Sequence, residues 1–541
     1  MSKNKTDSPS YGKQFFSGVT VLALSTIIVK LIGLFYKIPM MAYLGAEGMG
    51  YFNSAYDIYS LFFVIATTGI PVAISILISE NKTQGRINNV KRIFRLSIIL
   101  LGIIGFVGTI LMGVFHKQFA SLINNDAAAY CILAISPTVL MICLSSAIRG
   151  YFQGNQIMIP TAISQIIEAL GKLLLGLGFA IIAINAGHNA SIAAAYAVLG
   201  LSLGVIISLL YLVIAKIFHK SKSNDKQLDS FVDSSSKIIK TIFNIAIPIT
   251  ISSTILSLSK VIDMTMILGR LNYIGYTQEQ ANAIYGSYST MAVSIFNLPA
   301  TLVSAIALPL VPLLASAVEA NDKIKESAII SSSLKLTVLI AFPAGLGISV
   351  FSKPILSLLF ASQEKEIEYT APLLSLLGIS IFLSSMITRT NAILQSYKQV
   401  KKPIFSMVIG TLVKIVSSFI LIGIPSVNIY GAPISTFVST LIIVALNLYF
   451  IARYCSKIDG VINLFVKPAL SSILSMCLGV GIYLALTSIS SSRIMIIVTI
   501  LTVCLAYCIC ALKLKALNKD EIIMLPKGEK IYQLLTKIHL V

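Results

Sequence analysis

Long apolar runs divided by short polar breaks fill the chain. Runs of about 18 or more residues fall at 16–43, 52–79, 93–115, 127–148, 157–184, 191–215 and 241–268, then at 284–315, 334–351, 371–394, 404–424, 429–451, 464–486 and 494–512. A transmembrane helix needs roughly 20 apolar residues, so the pattern predicts fourteen of them in an all-α polytopic membrane protein. The runs are continuous rather than alternating at every second position, which excludes a β-barrel. The first run follows a basic start without a small-residue cleavage site, and reads as a retained span rather than a signal peptide.

Composition agrees. Of 541 residues 56% are hydrophobic and only 11% charged, and mean hydropathy is +0.89. A soluble domain carries about 25% charged residues, so most of this chain does not face water. The net charge of +20 would suit a nucleic-acid binder, but its placement points elsewhere. Thirty Lys and Arg fall in the tails and even-numbered connections, against five in the odd-numbered ones: Lys117, Arg270, Lys353, Lys365 and Arg493. By the positive-inside rule both termini are expected in the cytoplasm, with no nucleic-acid partner. The seven cysteines sit mostly inside apolar runs and the four histidines in separate loops or tails, so neither a disulfide framework nor a metal site is expected.

The first six spans resemble the next six. Tyr56, Tyr59 and Pro71 in the second are echoed by Tyr285, Tyr288 and Pro299 in the eighth. Leu144-Ser-Ser with Arg149 is echoed by Leu383-Ser-Ser with Arg389, and Pro160 with Lys172 by Pro403 with Lys414. Both halves start on one side with an even number of helices, so they form parallel repeats about an axis along the membrane normal. The expected organisation is a six-helix lobe at 1–217, a cytoplasmic linker at 218–240, a second six-helix lobe at 241–452, two further helices within 453–512 and a cytoplasmic tail at 513–541. Two such lobes around a central cavity describe an alternating-access transporter.

Charges inside the spans are the candidate chemistry, because each costs about 2.5 to 3.5 kcal/mol at the bilayer centre unless paired or wet. Lys30 and Lys37 stand two turns apart on one helix face with no acid between them, as in an anion site; snorkelling to the interface is the structural alternative. Glu168 with Lys172 and Lys260 with Asp263 have ion-pair spacing, and could exchange partners during transport. Lys414 lacks an acid four residues earlier, where Gly410 stands, and joins Lys260 and Arg389 as a cavity cation. Arg389 serves equally well as an inner-end anchor. Asp57 is a further carboxylate for ion coupling. Pro39, Pro71, Pro248 and Pro299, with Gly33 and Gly69, mark expected kinks for a bending mechanism. No phosphate-binding loop, HExxH helix or large loop indicates an enzyme, and no cofactor is expected.

The run Lys30-Leu-Ile-Gly33-Leu-Phe-Tyr-Lys37-Ile-Pro39, then Leu44-Gly-Ala-Glu-Gly-Met-Gly50, Gly69-Ile-Pro-Val-Ala-Ile-Ser75, Asn297-Leu-Pro299 and Leu308-Pro-Leu-Val-Pro312, resembles one family. It is similar to the stage V sporulation protein B and MurJ-like branch of the multidrug/oligosaccharidyl-lipid/polysaccharide (MOP) flippase superfamily, over essentially the whole chain. The resemblance implies a flippase carrying an undecaprenyl-pyrophosphate-linked peptidoglycan precursor, lipid II, from the inner to the outer leaflet. It also implies that Lys30 and Lys37 line the central cavity. Ser294 stands where such members carry an eighth-helix arginine, Asn297 replaces an acid, and Val64 stands near a second-helix arginine. These departures point to the sporulation or Gram-positive branch. The alternatives are a flippase for another lipid-linked polysaccharide precursor, a cation-coupled multidrug exporter, or a non-transporting scaffold that recruits cell-wall synthesis enzymes.

Overall fold

A computed structural model describes residues 9–219, 232–307, 310–456, 462–489 and 494–514, with a few isolated positions beyond. The expected N-terminal polar stretch, much of the linker and nearly all of the expected cytoplasmic tail lie outside the described residues. Among those described there is no strand: the chain is a succession of helices.

The first is α1 (Pro9–Thr67), a continuous run interrupted at Gly45, where φ is +68°. Only glycine takes that conformation without steric cost, so two expected spans join through one residue rather than through a loop. A second break at Thr68 separates α2 (Gly69–Thr83). There follow α3 (Ile87–Val114), the short α4 (His116–Leu122), α5 (Ala129–Gly154), α6 (Ile159–Gly171), α7 (Leu177–Asn185) and α8 (Ala190–Phe218). A π turn, Lys172–Gly176, joins α6 to α7. Beyond the linker come α9 (Ser235–Tyr273), α10 (Gln278–Ser287), a second π turn Tyr288–Ala292, α11 (Val293–Ala307) and α12 (Leu310–Glu319). The rest is α13 (Lys323–Val350), α14 (Ser352–Leu359), α15 (Glu364–Ser396), α16 (Lys401–Ile422), α17 (Gly431–Tyr454), α18 (Lys467–Ile489) and α19 (Ile494–Lys513). Local sequence fixes several starts: Asn189, Ser234 and Asp322 each accept a backbone N–H of the first turn, and Thr277 with Gln280 forms a reciprocal capping box.

Twelve helices among the described residues are long and apolar enough to cross a membrane. The expected fourteen are not confirmed, for two physical reasons. The first of the twelve, Leu24–Thr83, carries two expected spans through Gly45. The expected eighth span is divided among α10, the π turn, α11 and α12, none of which reaches spanning length by itself.

The chain forms two compact units, Met1–Thr290 and Met291–Val541. The residues that follow the linker up to Thr290 thus pack with the first six expected spans. The second unit is built on a core of Leu334, Val338, Met386, Ile393, Val444 and Ile451, where α13, α15 and α17 meet. Within it α18 and α19 pair with each other and reach α13 through Phe351, Met476 and Val503. Large apolar side chains such as Ile103, Phe106, Leu501 and Leu505 remain exposed, as lipid-facing helices require.

Candidate functional site

The first unit gathers most of the intramembrane charge. Lys30 is exposed on α1, and Lys37 lies two turns further along, half-buried. Lys30 is within electrostatic reach of Lys260 on α9 and Lys172 at the α6–α7 π turn. Lys37 is within reach of Lys30, Lys260 and Asp57. Four cations from three parts of the chain therefore share one region of one unit, with the acids Asp57, Asp263 and Glu168 beside them.

The acids are differently engaged. Glu168 is buried and held from both sides: Arg149 Nη2 lies 3.0 Å from one carboxylate oxygen and Lys172 Nζ 3.0 Å from the other. Arg149 also donates to Ser164 Oγ at 3.0 Å and Ser208 Oγ at 3.3 Å, so this buried triad is closely satisfied. Lys172 Nζ stands 5.7 Å from the centre of the Tyr56 ring. The spacing of four between Glu168 and Lys172 thus forms the expected pair. The expected Lys260–Asp263 pair does not form: a spacing of three permits contact without requiring it, Asp263 has interactions of its own, and Lys260 is exposed toward the α1 cations and Asp57. Asp57 instead accepts a hydrogen bond from Tyr285 Oη at 2.5 Å.

That bond belongs to a polar seam between the second half of α1 and α10. Asn53 Nδ2 donates to Thr290 Oγ1 at 2.8 Å, and Asn282 Nδ2 to the Glu47 carbonyl at 2.7 Å. Asn125, between α4 and α5, donates to both Ser54 Oγ (3.0 Å) and Asn282 Oδ1 (2.8 Å). Gly50 and Gly286 let the two backbones touch. The seam lies at the helix ends that the basic-residue count assigns to the outer face.

Arg389 and Lys414 belong to the second unit. Arg389 is 2% exposed, with Nε donating to Thr337 Oγ1 at 3.0 Å and Nη2 to the Val303 carbonyl at 3.5 Å. It braces α15 against α13 and α11 rather than standing free at an inner end. Lys414 is half-buried on α16 and has interactions of its own. The same unit carries an apolar cavity of about 360 Å³ lined by Phe342, Phe382, Phe465, Leu470 and Ile473.

Among the expected kink residues, Gly33 and Pro39 sit inside α1, Pro248 inside α9 and Pro299 inside α11. Pro71 occupies the first turn of α2, where its missing N–H costs nothing. The break there is at Thr68, and Gly69 packs directly on Thr250 and Ala246 of α9. The π turns begin at Lys172 and Tyr288; inserted turns of this kind often mark functional positions. In the sequence Arg149 stands just past the apolar run 127–148, where it counts among the basic residues of a connection, and Tyr285 is legible only as a mark of the repeat. Asn53, Asn125 and Asn282 are not singled out by that pattern, although polar amides in or beside apolar runs are the available signal.

The chain matches the model of the Polysaccharide biosynthesis protein family over residues 15–318. It matches that of the MatE family over residues 248–420. It is similar to Stage V sporulation protein B of Bacillus subtilis (strain 168), 25% identical over 443 residues, covering 80% of this chain and 82% of the relative. It is also similar to Lipid II flippase MurJ of the same organism, 27% identical over 417 residues, covering 74% and 76%. Among solved structures, its fold is similar to that of Lipid II flippase MurJ in an inward closed conformation, with TM-score 0.69, 17% identity, and 91% and 98% of the two chains covered. An inward-facing MATE family transporter of the MOP superfamily gives TM-score 0.65 at 16% identity, covering 81% and 98%.

Proposed function

The chain belongs to the Polysaccharide biosynthesis protein family, and we propose that it is a membrane flippase of the MOP superfamily, not an enzyme, and that it flips lipid II. In this reading an undecaprenyl-pyrophosphate-linked precursor moves from the inner to the outer leaflet by alternating access, with both termini cytoplasmic.

The observation that carries the proposal is the cation cluster of Lys30, Lys37, Lys172 and Lys260 inside otherwise apolar helices. Pyrophosphate is a compact dianion, and ammonium groups in a low-dielectric site bind it strongly. Lys30 and Lys260 make no ion pair with any described residue, which leaves their amino groups open to a ligand. Glu168 is committed to Arg149 and Lys172, so it fixes Lys172 in place instead of competing for a cationic cargo. An amphipathic substrate needs only its head carried through a wet cavity while its tail stays in lipid. The polar seam of α1 and α10 supports an outer side closed against water.

A cation-coupled drug exporter is the second reading, favoured by Asp57, a carboxylate deep in a span and hydrogen-bonded to Tyr285. The surplus of lysines around it argues against a cationic cargo.

The test is lipid II exposure at the surface of cells whose own flippase is switched off, supplied with the intact chain or with Lys30→Ala/Lys37→Ala. Restored exposure with the intact chain and none with the double variant, at equal membrane abundance, is the expected result. An abundant intact chain that restores nothing removes lipid II and leaves other lipid-linked polysaccharide precursors.

A further inference from the structure

The second unit contains a cavity of about 570 Å³ that the transport site does not use. Its walls are the last residues of α13, the start of α14, the start of α15, and the facing ends of α18 and α19. Phe351, Val480 and Ile496 form an apolar side, continuous with the Phe351–Met476–Val503 cluster. Tyr483 stands edge-on to Phe351 with ring centroids 5.8 Å apart. Lys353 and Glu364 supply the polar side, and both are exposed.

Two features limit what this cavity can hold. It lies where the spans Lys323–Val350 and Glu364–Ser396 end and begin, at the level where a bilayer passes from acyl chain to headgroup. Lys353 and Glu364 share it without pairing: neither forms an ion pair with any described residue. Opposite charges that line one cavity without meeting offer complementary partners to a ligand carrying both signs.

We propose that this cavity binds a zwitterionic phospholipid with a primary ammonium. Its phosphate rests on Lys353, its ammonium donates to Glu364, and the first acyl segments lie on Phe351, Val480 and Ile496. An anionic glycerol headgroup satisfies Lys353 and is repelled by Glu364. A choline headgroup has no N–H to donate to the carboxylate. The site is built only because α18 and α19 follow the repeated helices, which gives that pair a role distinct from the cargo path.

The test uses the delipidated full chain in detergent, titrated separately with phosphatidylethanolamine, phosphatidylglycerol and phosphatidylcholine, with bound lipid counted by mass spectrometry. Phosphatidylethanolamine is expected to be retained about tenfold better, the ratio expected when one charge-assisted hydrogen bond is worth about 1.4 kcal/mol. The preference is lost in Lys353→Glu and in Glu364→Lys, and returns in part when the two are combined. Unchanged melting temperature shows that each variant is folded; both side chains are exposed, so none is expected to unfold. Equal retention of the three lipids, or a preference that survives both single variants, overturns the proposal. So does full displacement of bound lipid by soluble phosphoethanolamine at equal concentration, which would assign the site to a free headgroup.

Discussion

Gly50 and Gly286 cross with no room for a side chain on either. A Cβ on Gly286 would stand 2.0 Å from the Ala46 carbonyl oxygen, and one on Gly50 would stand 2.3 Å from that of Asn282. Backbone lies on both sides, so neither neighbour can swing away. The asparagine and tyrosine hydrogen bonds of the seam depend on this approach.

Gly286→Ala is therefore expected to push α10 off α1 and to cost about 1–3 kcal/mol, as overpacking does. Thiol labelling of a cysteine placed at the buried Ser54 should accelerate in the same background. Unchanged labelling together with an unchanged melting temperature would show that the seam is not under this constraint.

Glu168→Gln leaves the buried Arg149 and the half-buried Lys172 without their shared anion. Loss of one partner from a buried ion network costs about 3–5 kcal/mol. Thermal unfolding of the purified protein should register the loss, and Arg149→Met added to Glu168→Gln should recover part of it. A double variant less stable than the single one would contradict a charge-imbalance origin.

Tyr285→Phe removes the donor to Asp57 and keeps the ring. A hydrogen bond to a charged group contributes about 1.5–3 kcal/mol, so a drop of that size in unfolding free energy is expected. A melting curve that overlays the parent would mean that Asp57 finds another donor at no cost.

Acid should loosen the start of α9. Asp233 accepts from Lys237 Nζ at 2.7 Å and from Asn89 Nδ2 at 2.9 Å. The lysine bond, aided by Asn89, holds its carboxyl below the usual aspartate value. A depressed folded-state pKa contributes stability that is present above the unfolded value of about 3.9 and is lost as pH falls through the folded one. Asp233→Asn should flatten that part of the melting-temperature profile by lowering the neutral value while leaving the acid end little changed; a profile parallel to the parent's would assign the acid sensitivity elsewhere.

Apolar length made the helical membrane class legible, because the need for about 20 apolar residues is nearly independent of tertiary context. The Glu168–Lys172 pair was legible for a similar reason, being set by helix geometry alone. Gly45 was not. The short break at 44–51 reads as a loop, whereas a positive φ in that one glycine lets the helix run through it. Arg149 falls just past the apolar run 127–148, and its partner, Glu168, lies nineteen residues on, a contact that periodicity does not see. Asp57 with Tyr285 was beyond reach in the same way, at a separation of 228 residues.

The π turn that begins at Lys172 has a consequence for how this segment tolerates change. A π turn takes up one extra residue, worth about 100° of an ideal helix, so the side chains beyond it keep the direction they would have in a chain one residue shorter. Glu168 and Ala180, about 120° apart on an ideal wheel, are thereby both buried, and α6, the π turn and α7 all pack on α8. Removing one residue between 172 and 176 would give an ordinary helix with its second half still turned to α8. This short stretch therefore absorbs a deletion that elsewhere in a span would rotate every later side chain off its contacts.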